Sequence, residues 1–303
     1  MADDSAPVSV VIAAYDAERT LGAAVASALR QVPRPAQVIV VDDGSRDGTA
    51  EVAASFPDVL LLRQQNQGPS AARNTGIQAA SQPWVAFLDA DDVWLPGKLA
   101  RQLAAWERHP TTVLLAGDWV RAEPGEGAAP PVGAGADAPE TLLGYRELLV
   151  LNRFQTSTVL VRSDVLARCG GFDPGLDGAE DWDLWLRCVK SGPAVKLDVP
   201  LVVYRDEPTG YSKDLPRLYR RMLAMLSRER SGTTLSATAF AQVVAWHHLR
   251  FALAFLLAGQ PERTRGVLRE LRVAGLARHV PAAAVRYLAP FLGGRVLRRL
   301  RRS

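Results

Sequence analysis

Four short segments of this 303-residue chain set carboxylates beside glycine and small polar residues: Tyr15-Asp16, Asp42-Asp43-Gly44-Ser45, Asp89-Ala90-Asp91-Asp92 and Glu180-Asp181. Two carboxylates one residue apart in a turn, as Asp89 and Asp91 are, offer oxygen ligands to a hard divalent cation such as Mg2+ or Mn2+. Such a cation can also bridge phosphate oxygens. Glu180-Asp181 opens a helical pattern, where the dipole favours the ionised carboxylate, the form that takes up a proton. The plainer alternatives are structural: the Asp89–Asp92 turn caps the next helix, and Glu180-Asp181 stabilises a helix start. All four histidines (His109, His247, His248 and His279) lie away from these segments, which argues against a histidine-built metal site.

The elements that must carry these segments follow from hydrophobic periodicity. Short runs of Val, Ile, Leu and Phe at Val8–Ala14, Gln37–Val41, Val59–Leu62 and Trp84–Leu88 predict buried strands. Helical patterns at Glu18–Gln31, from Thr49 and at Ser70–Ala80 separate them. Strands alternating with helices predict an α/β fold with a mostly parallel sheet covered on both faces. Ligands of such sheets bind beyond the carboxyl ends of the strands. The Asp42-Asp43 and Asp89–Asp92 segments sit at those ends, so the topology brings their carboxylates to one edge. Like charges crowded there need a cation or firm hydrogen-bond donors. Further on, the pattern predicts a strand at Ser157–Val161, a helix near Asp181–Lys190 and an extended segment at Ala194–Tyr204. Residues 122–140, rich in Gly, Ala and Pro, read as a mobile inserted loop. From about Leu215 the pattern is helical, with breaks at Gly259-Gln260-Pro261, Pro281 and Pro290.

Composition narrows the classes. Apolar residues make up 48% and charged residues 22%, as in a packed globular chain rather than a disordered one. Two cysteines, Cys169 and Cys188, supply neither a disulfide framework nor a cysteine-rich metal site, and suit a reducing cytoplasm. The run Phe251–Ala258 falls short of the ~20 residues of a membrane span, so no transmembrane helix is expected. Charge is uneven: residues 1–214 hold 19 basic against 29 acidic side chains, and residues 215–303 hold 17 against 3. A catalytic region at 1–214 and a basic helical region at 215–303 follow.

The segments VSVVIAAYDAE, VIVVDDGSRDGT, NQGPSAARNTG, VAFLDADDVWLPGKL, GGFD and AEDWDLWLR occur in that order. Together they resemble a family 2 inverting nucleotide-sugar glycosyltransferase with the Rossmann-like GT-A fold, over roughly residues 7–214. The resemblance implies transfer of a sugar from a nucleotide-diphosphate donor, UDP-linked or similar, to an acceptor hydroxyl, with a divalent cation. It implies Asp91 as a direct metal ligand, with Asp89 at the metal or the ribose. It sets Ala13, Tyr15 and Asp43 against the nucleotide, Asp43 as acceptor for the N3 proton of a uracil-like base, and Arg73 against the nucleotide or the carboxylates of the Asp89 turn, two roles that are compatible. Asp181 is the implied base, with Glu180 beside it. Asp42 then holds its turn, Asp92 orients its neighbours, and Asp183 faces outward or caps. Relatives of this kind carry Tyr-Arg-x-His followed by Ser. Here the stretch is Tyr204-Arg205-Asp206-Glu207, with Ser212 after it. Arg205 and Ser212 are thus candidates for the pyrophosphate, and Glu207, in the histidine's place, for a third metal ligand. The acceptor side falls to residues 122–140 and the stretch around Asn152–Ser157.

Three readings of the basic region remain: helices packed on the acidic body, attachment to an anionic membrane surface, or nucleic-acid binding. The last is not expected, since no basic motif interleaved with aromatics occurs. Val285, Leu288, Leu292 and Val296 would form the apolar stripe of a membrane-surface helix, interrupted by Pro290 and Gly293-Gly294. The acceptor class is a sugar, a lipid-linked molecule or another hydroxyl compound, and the expected place is the cytoplasm, at the inner face of the membrane if the tail attaches. Two other functions compete: a nucleotidyltransferase, which shares the acidic turn, and a non-catalytic nucleotide-binding scaffold.

Overall fold

The computed structural model describes residues 5–121, 138–205 and 214–288. The chain divides into two compact units, one of residues up to 148 with 152–210, the other of residues 149–151 with those from 211 on.

The first unit begins β1 (Ala6–Ala14), α1 (Leu21–Leu29), β2 (Pro35–Asp42), α2 (Thr49–Ala54), β3 (Val59–Arg63), α3 (Pro69–Ala79) and β4 (Trp84–Asp89). It continues β5 (Val93–Trp94), α4 (Lys98–Arg108), β6 (Leu114–Arg121), β7 (Glu140–Leu143), α5 (Tyr145–Val150), β8 (Leu160–Arg162), α6 (Ser163–Cys169), α7 (Glu180–Cys188) and β9 (Ala194–Tyr204). All nine described strands join one sheet, in the order β3-β2-β1-β4-β8-β6-β9-β5, with β7 also on β9. β1 to β4 are parallel, as are β6 and β9; the pairings of β8, β5 and β7 are antiparallel. The sheet is therefore mixed and mostly parallel in its first half.

β-branched residues on both faces explain the central strands. Val8, Val10, Val11 and Ile12 of β1 are at most 1% exposed, and burying each such side chain contributes about 1.5–3 kcal/mol. Alongside them, Ala13 pairs with Asp89 of β4 and Ala14 with Asp42 of β2. The register thus carries two carboxylate segments to the same end of β1.

The expected and observed elements differ at identifiable places. The predicted helix Glu18–Gln31 is shorter, because the Ala17 amide donates to Thr49 Oγ1 and the Glu18 amide to Asp47 before the helix starts at Leu21. The predicted strand Ser157–Val161 begins instead with a 3-10 turn, Thr156–Thr158, and is extended only from Leu160. There Gln155 accepts from the Ser157 amide through its side chain and from the Thr158 amide through its carbonyl. Polar residues that satisfy the backbone locally compete with a ladder. Most of the predicted loop at 122–140 lies outside the described residues, but its last residue, Glu140, already belongs to β7. Glu140 is held there by Arg108 and His109.

The second unit contains α8 (Leu215–Gly232), α9 (Ala237–Leu257), α10 (Pro261–Val273) and the short α11 (Val280–Ala283). Asp214 and Ser236 cap α8 and α9 through their side chains. α9 is its core: Phe240, Val243, Trp246, His247, Phe251 and Phe255 are buried. Trp246 Nε1 donates to the Val150 carbonyl and His247 Nε2 to that of Leu149. At 21 residues, α9 is long and apolar enough to cross a membrane, unlike the short run expected from sequence. Half of its apolar window is buried in the fold, as in the core helix of a bundle. The expected break at Pro281 falls earlier, at Gly275 (φ 68°). Pro281 occupies the first turn of α11, where its missing N–H costs nothing. Pro290 lies outside the described residues.

Candidate active site

The site forms beyond the carboxyl ends of β1, β2 and β4. After β2, Asp42 is fully buried and takes a structural part: Oδ1 accepts the Ser45 amide at 3.0 Å and Oδ2 accepts Arg63 Nε at 3.1 Å. Gly44 turns the chain at φ 76°, where a Cβ would lie 2.9 Å from the Asn66 nitrogen. Asp43 faces the loop between β3 and α3. Its Oδ1 accepts Gln64 Nε2 (2.7 Å) and the Gln67 amide (3.0 Å), and its Oδ2 accepts the Gly68 amide (2.8 Å). A carboxylate offers about four acceptor positions, so roughly one is left for a ligand. Tyr15 is 45% exposed and is not a core tyrosine. Ala13 stands half-buried beside it. Asp16, at φ 46°, accepts the Arg46 amide and donates its own amide to Ser45 Oγ, clasping the first loop to the second.

The acidic turn after β4 is built around Asp92, to which sequence assigns only a supporting part. This fully buried carboxylate accepts Ser157 Oγ at 2.6 Å, Gln155 Nε2 at 2.8 Å and the Arg205 amide at 3.0 Å. Burial, and after it the charges of Asp89 and Asp91, push its carboxyl well above the usual range. Ser157 also accepts the Asp89 amide at 3.0 Å, so one hydroxyl ties two members of the turn together. Trp94 Nε1 holds the Ser157 carbonyl from below at 2.8 Å.

Arg73, on α3, joins this turn to the second acidic segment. Its Nη2 donates to Asp89 Oδ1 at 2.7 Å and its Nη1 to Glu180 Oε1 at 3.2 Å. Its guanidinium also lies over the Phe172 ring, 5.3 Å from the centroid. The flanking carboxylates outweigh burial and hold Arg73 above its ordinary range. Glu180, at the start of α7, also accepts the Gly178 amide. Beside it, Asp181 accepts its own neighbour's amide, Trp182 N, at 2.6 Å and Asn152 Nδ2 at 3.0 Å. Burial, followed by the Glu180 charge, raises Asp181 to about 7. The helix start was expected to favour the ionised form; here burial and a like charge prevail. Of the two expectations for Asp183, facing outward does not hold: it is buried and paired with Arg187, in the first turn of α7.

Sequence reading thus names a set of residues that the fold partly draws together. Asp89, Arg73, Glu180 and Asp181 form one connected wall, with Asp43 and Tyr15 on neighbouring strand ends. Arg205 reaches the turn through its backbone, while Glu207 and Ser212 lie outside the described residues. Asn152, Gln155, Ser157 and Gln64 had no assigned role; the sequence marked the first three only as a poorly understood acceptor stretch.

The residues fit a divalent cation. Burial, and after it the charges of Asp89 and Asp91, disfavours the charge of Asp92, and a bound cation would relieve the repulsive part. Among the described residues no three His, Cys, Asp or Glu side chains converge as a closed cage. A cation here would therefore complete its shell with ligand oxygens or water, as Mg2+ commonly does.

Comparison with known proteins bears on the family and the fold. A family model described as "Glycosyl transferase family 2" matches residues 9–163. The succinoglycan biosynthesis protein ExoU of Rhizobium meliloti (strain 1021) is 31% identical over 258 residues, 78% of this chain and 73% of that protein. The UDP-Glc:alpha-D-GlcNAc-diphosphoundecaprenol beta-1,3-glucosyltransferase WfgD of Escherichia coli is 37% identical over 100 residues, 32% of this chain and 40% of that one. Among solved structures, S. aureus TarS 1-349 in complex with UDP-GlcNAc aligns with a TM-score of 0.63 at 22% identity, over 82% of this chain and 73% of that one. The mannosyltransferase PcManGT from Pyrobaculum calidifontis, in complex with GDP-Man and Mn2+, aligns at 0.62 and 19% identity, over 95% and 80%. These two likenesses establish the GT-A-like fold.

Proposed function

The chain belongs to glycosyl transferase family 2 and is a transferase, and from that premise we propose that its first unit moves a sugar from a nucleoside-diphosphate donor to an acceptor hydroxyl with inversion at the anomeric carbon. One observation carries the reading: Arg73 spans Asp89 and Glu180, so the acidic turn and the acid pair at the start of α7 are parts of one site. Asp43 and Tyr15 hold the nucleoside, and Arg205 and Ser212 serve the pyrophosphate. Asp91 and Asp89 would hold the divalent cation, Mg2+ or Mn2+, with Glu207 as a further ligand; when bound it offsets charge on the diphosphate.

Asp181 takes the proton of the acceptor hydroxyl. The acceptor oxygen then forms its bond to the anomeric carbon as the bond from that carbon to the diphosphate oxygen breaks, and the nucleoside diphosphate leaves with the bonding electrons. A base with a pKa near the working pH is best matched to this transfer, and Asp181 sits at about 7. Asn152 fixes the direction of the Asp181 carboxylate at the acceptor side. Relatives described as a succinoglycan biosynthesis protein and a diphosphoundecaprenol glucosyltransferase support a polysaccharide or lipid-linked acceptor, met in the cytoplasm at the membrane's inner face. Neither nucleotidyl transfer nor a silent scaffold is favoured, because the matched family and its named relatives are glycosyltransferases.

A thermal-shift panel of nucleotide sugars with Mg2+ or Mn2+ tests the reading, since a bound donor stabilises the fold by mass action. One or more donors should raise the melting temperature, and EDTA or Asp91→Ala should abolish the shift. A panel without any response would count decisively against donor binding, and a response that survives both treatments would remove the cation from the reading.

A further inference from the structure

α10 is anchored on one face and open on the other. Val267 and Leu271 are buried at 3% and 4% exposure, and Glu270 accepts the Tyr219 hydroxyl at 2.7 Å. The opposite face carries Arg265, Arg269 and Arg272, at the i, i+4, i+7 spacing of one helical stripe. Leu268, 41% exposed, and Val273, 83% exposed, flank that stripe. Arg265 pairs with Glu262 at 2.6 Å, but the two side chains are 69% and 82% exposed, so water and salt exchange the pair readily.

The chemistry of this face is selective. All 17 basic residues from position 215 onward are arginine, and the planar guanidinium matches phosphate oxygens bidentately, as an ammonium does not. Leucine and valine on either side of the arginines gain nothing along a nucleic-acid backbone. At a bilayer they reach past the phosphates to the acyl boundary while the arginines hold the headgroups. The stripe expected from sequence, through Val285, Leu288, Leu292 and Val296, is a different one, and its last two positions lie outside the described residues.

We infer that the outer face of α10 docks the protein on an anionic phospholipid surface, through Arg265, Arg269 and Arg272 with Leu268 and Val273 at the two edges of their stripe. The inference deepens the proposed function and rests on it for its purpose: a lipid-linked acceptor is presented at such a surface.

The test is co-sedimentation of the full chain with phosphatidylcholine vesicles, with and without phosphatidylglycerol. Wild type should partition onto the anionic vesicles only, and added salt should weaken the binding. Each nearby basic residue strengthens partitioning about fivefold, so Arg265→Gln, Arg269→Gln and Arg272→Gln together should weaken it roughly 100-fold. Leu268→Ser with Val273→Ser should weaken it as well. All five side chains are exposed, so the melting temperature should hold. Equal binding to neutral vesicles, or a triple variant that binds like wild type, overturns the inference. The donor thermal shift, read on wild type, separates the two ideas: a wild type that binds anionic vesicles but shows no donor shift refutes the sugar-donor reading, and one that shows the shift but binds no vesicle refutes the docking face.

Discussion

Asn152 Nδ2 donates to Asp181 Oδ2 at 3.0 Å, and the other end of the same amide, Oδ1, accepts the Phe154 amide at 3.1 Å. The amide is therefore locked with its donor end toward the carboxylate. An aspartate in a half-closed wall, beside a second carboxylate, would otherwise choose among several rotamers. With the Trp182 amide on Oδ1, both oxygens of Asp181 are oriented before any ligand arrives.

The first expected outcome is kinetic. In the proposed reaction Asp181 acts without its proton, and its pKa is raised to about 7. The rate at limiting substrate should therefore fall about tenfold per pH unit below that point and level off above it. Asp181→Asn should lose roughly 10²–10⁴-fold in rate and the acid limb with it. A pH series of initial rates for both proteins checks this.

Stability should show the same group with its own sign. Asp181 has a folded pKa above its ordinary 3.8, so the folded state binds the proton more tightly than the unfolded chain. The stability this contributes is present at low pH and is lost as pH rises from about 4 through about 7. Asp181→Asn, which stays neutral, should gain melting temperature relative to wild type as pH goes from acid to 8. A difference that stays flat across that range would refute the raised pKa.

Among the described residues Arg73 is the cation that bridges Asp89 and Glu180, and its side chain is only 10% exposed. Removing one member of a buried ionic cluster leaves the others uncompensated, at a cost of about 3–5 kcal/mol. Arg73→Ala should shift the urea midpoint accordingly. Arg73→Lys should recover only part of it, because an ammonium cannot fork between two carboxylates in fixed directions.

Gly76 should refuse the usual helix improvement. It lies in α3 against β1, and a Cβ there would fall 2.3 Å from Val11 Cγ1. Gly76→Ala should destabilise by about 1–3 kcal/mol from overpacking, despite alanine's better helix propensity. Val11→Ala in the same chain should return part of the loss, a coupling that a double-mutant cycle measures.

How far the sequence revealed these features depended on the range of the interactions. The strands β1, β2 and β4 were legible because Val, Ile and Phe in short runs admit little else, and the edge of the sheet followed from their parallel order. Asp92 was underrated because nothing local distinguishes it from Asp91. Its rank comes from Ser157, Gln155 and the Arg205 amide, 63 to 113 residues away. The expected Ser157–Val161 strand differs for a related reason: Thr158, Val159 and Val161 have strand-like propensity, and Gln155 draws Thr156–Thr158 into a 3-10 turn. Asp181 was read as ionised from its place at a helix start, while burial and Glu180, which only the fold reveals, set its actual state.

The carboxylate of Asp43 receives every one of its described hydrogen bonds from Gln64, Gln67 and Gly68, all within five consecutive residues. Asp181 receives its own from Trp182 and from Asn152, far along the chain. The two ends of the site are thus separately upholstered. In the proposed function, substitutions between Arg63 and Pro69 act on the nucleoside end through Asp43 and leave the hydrogen bonds of Asp181 in place.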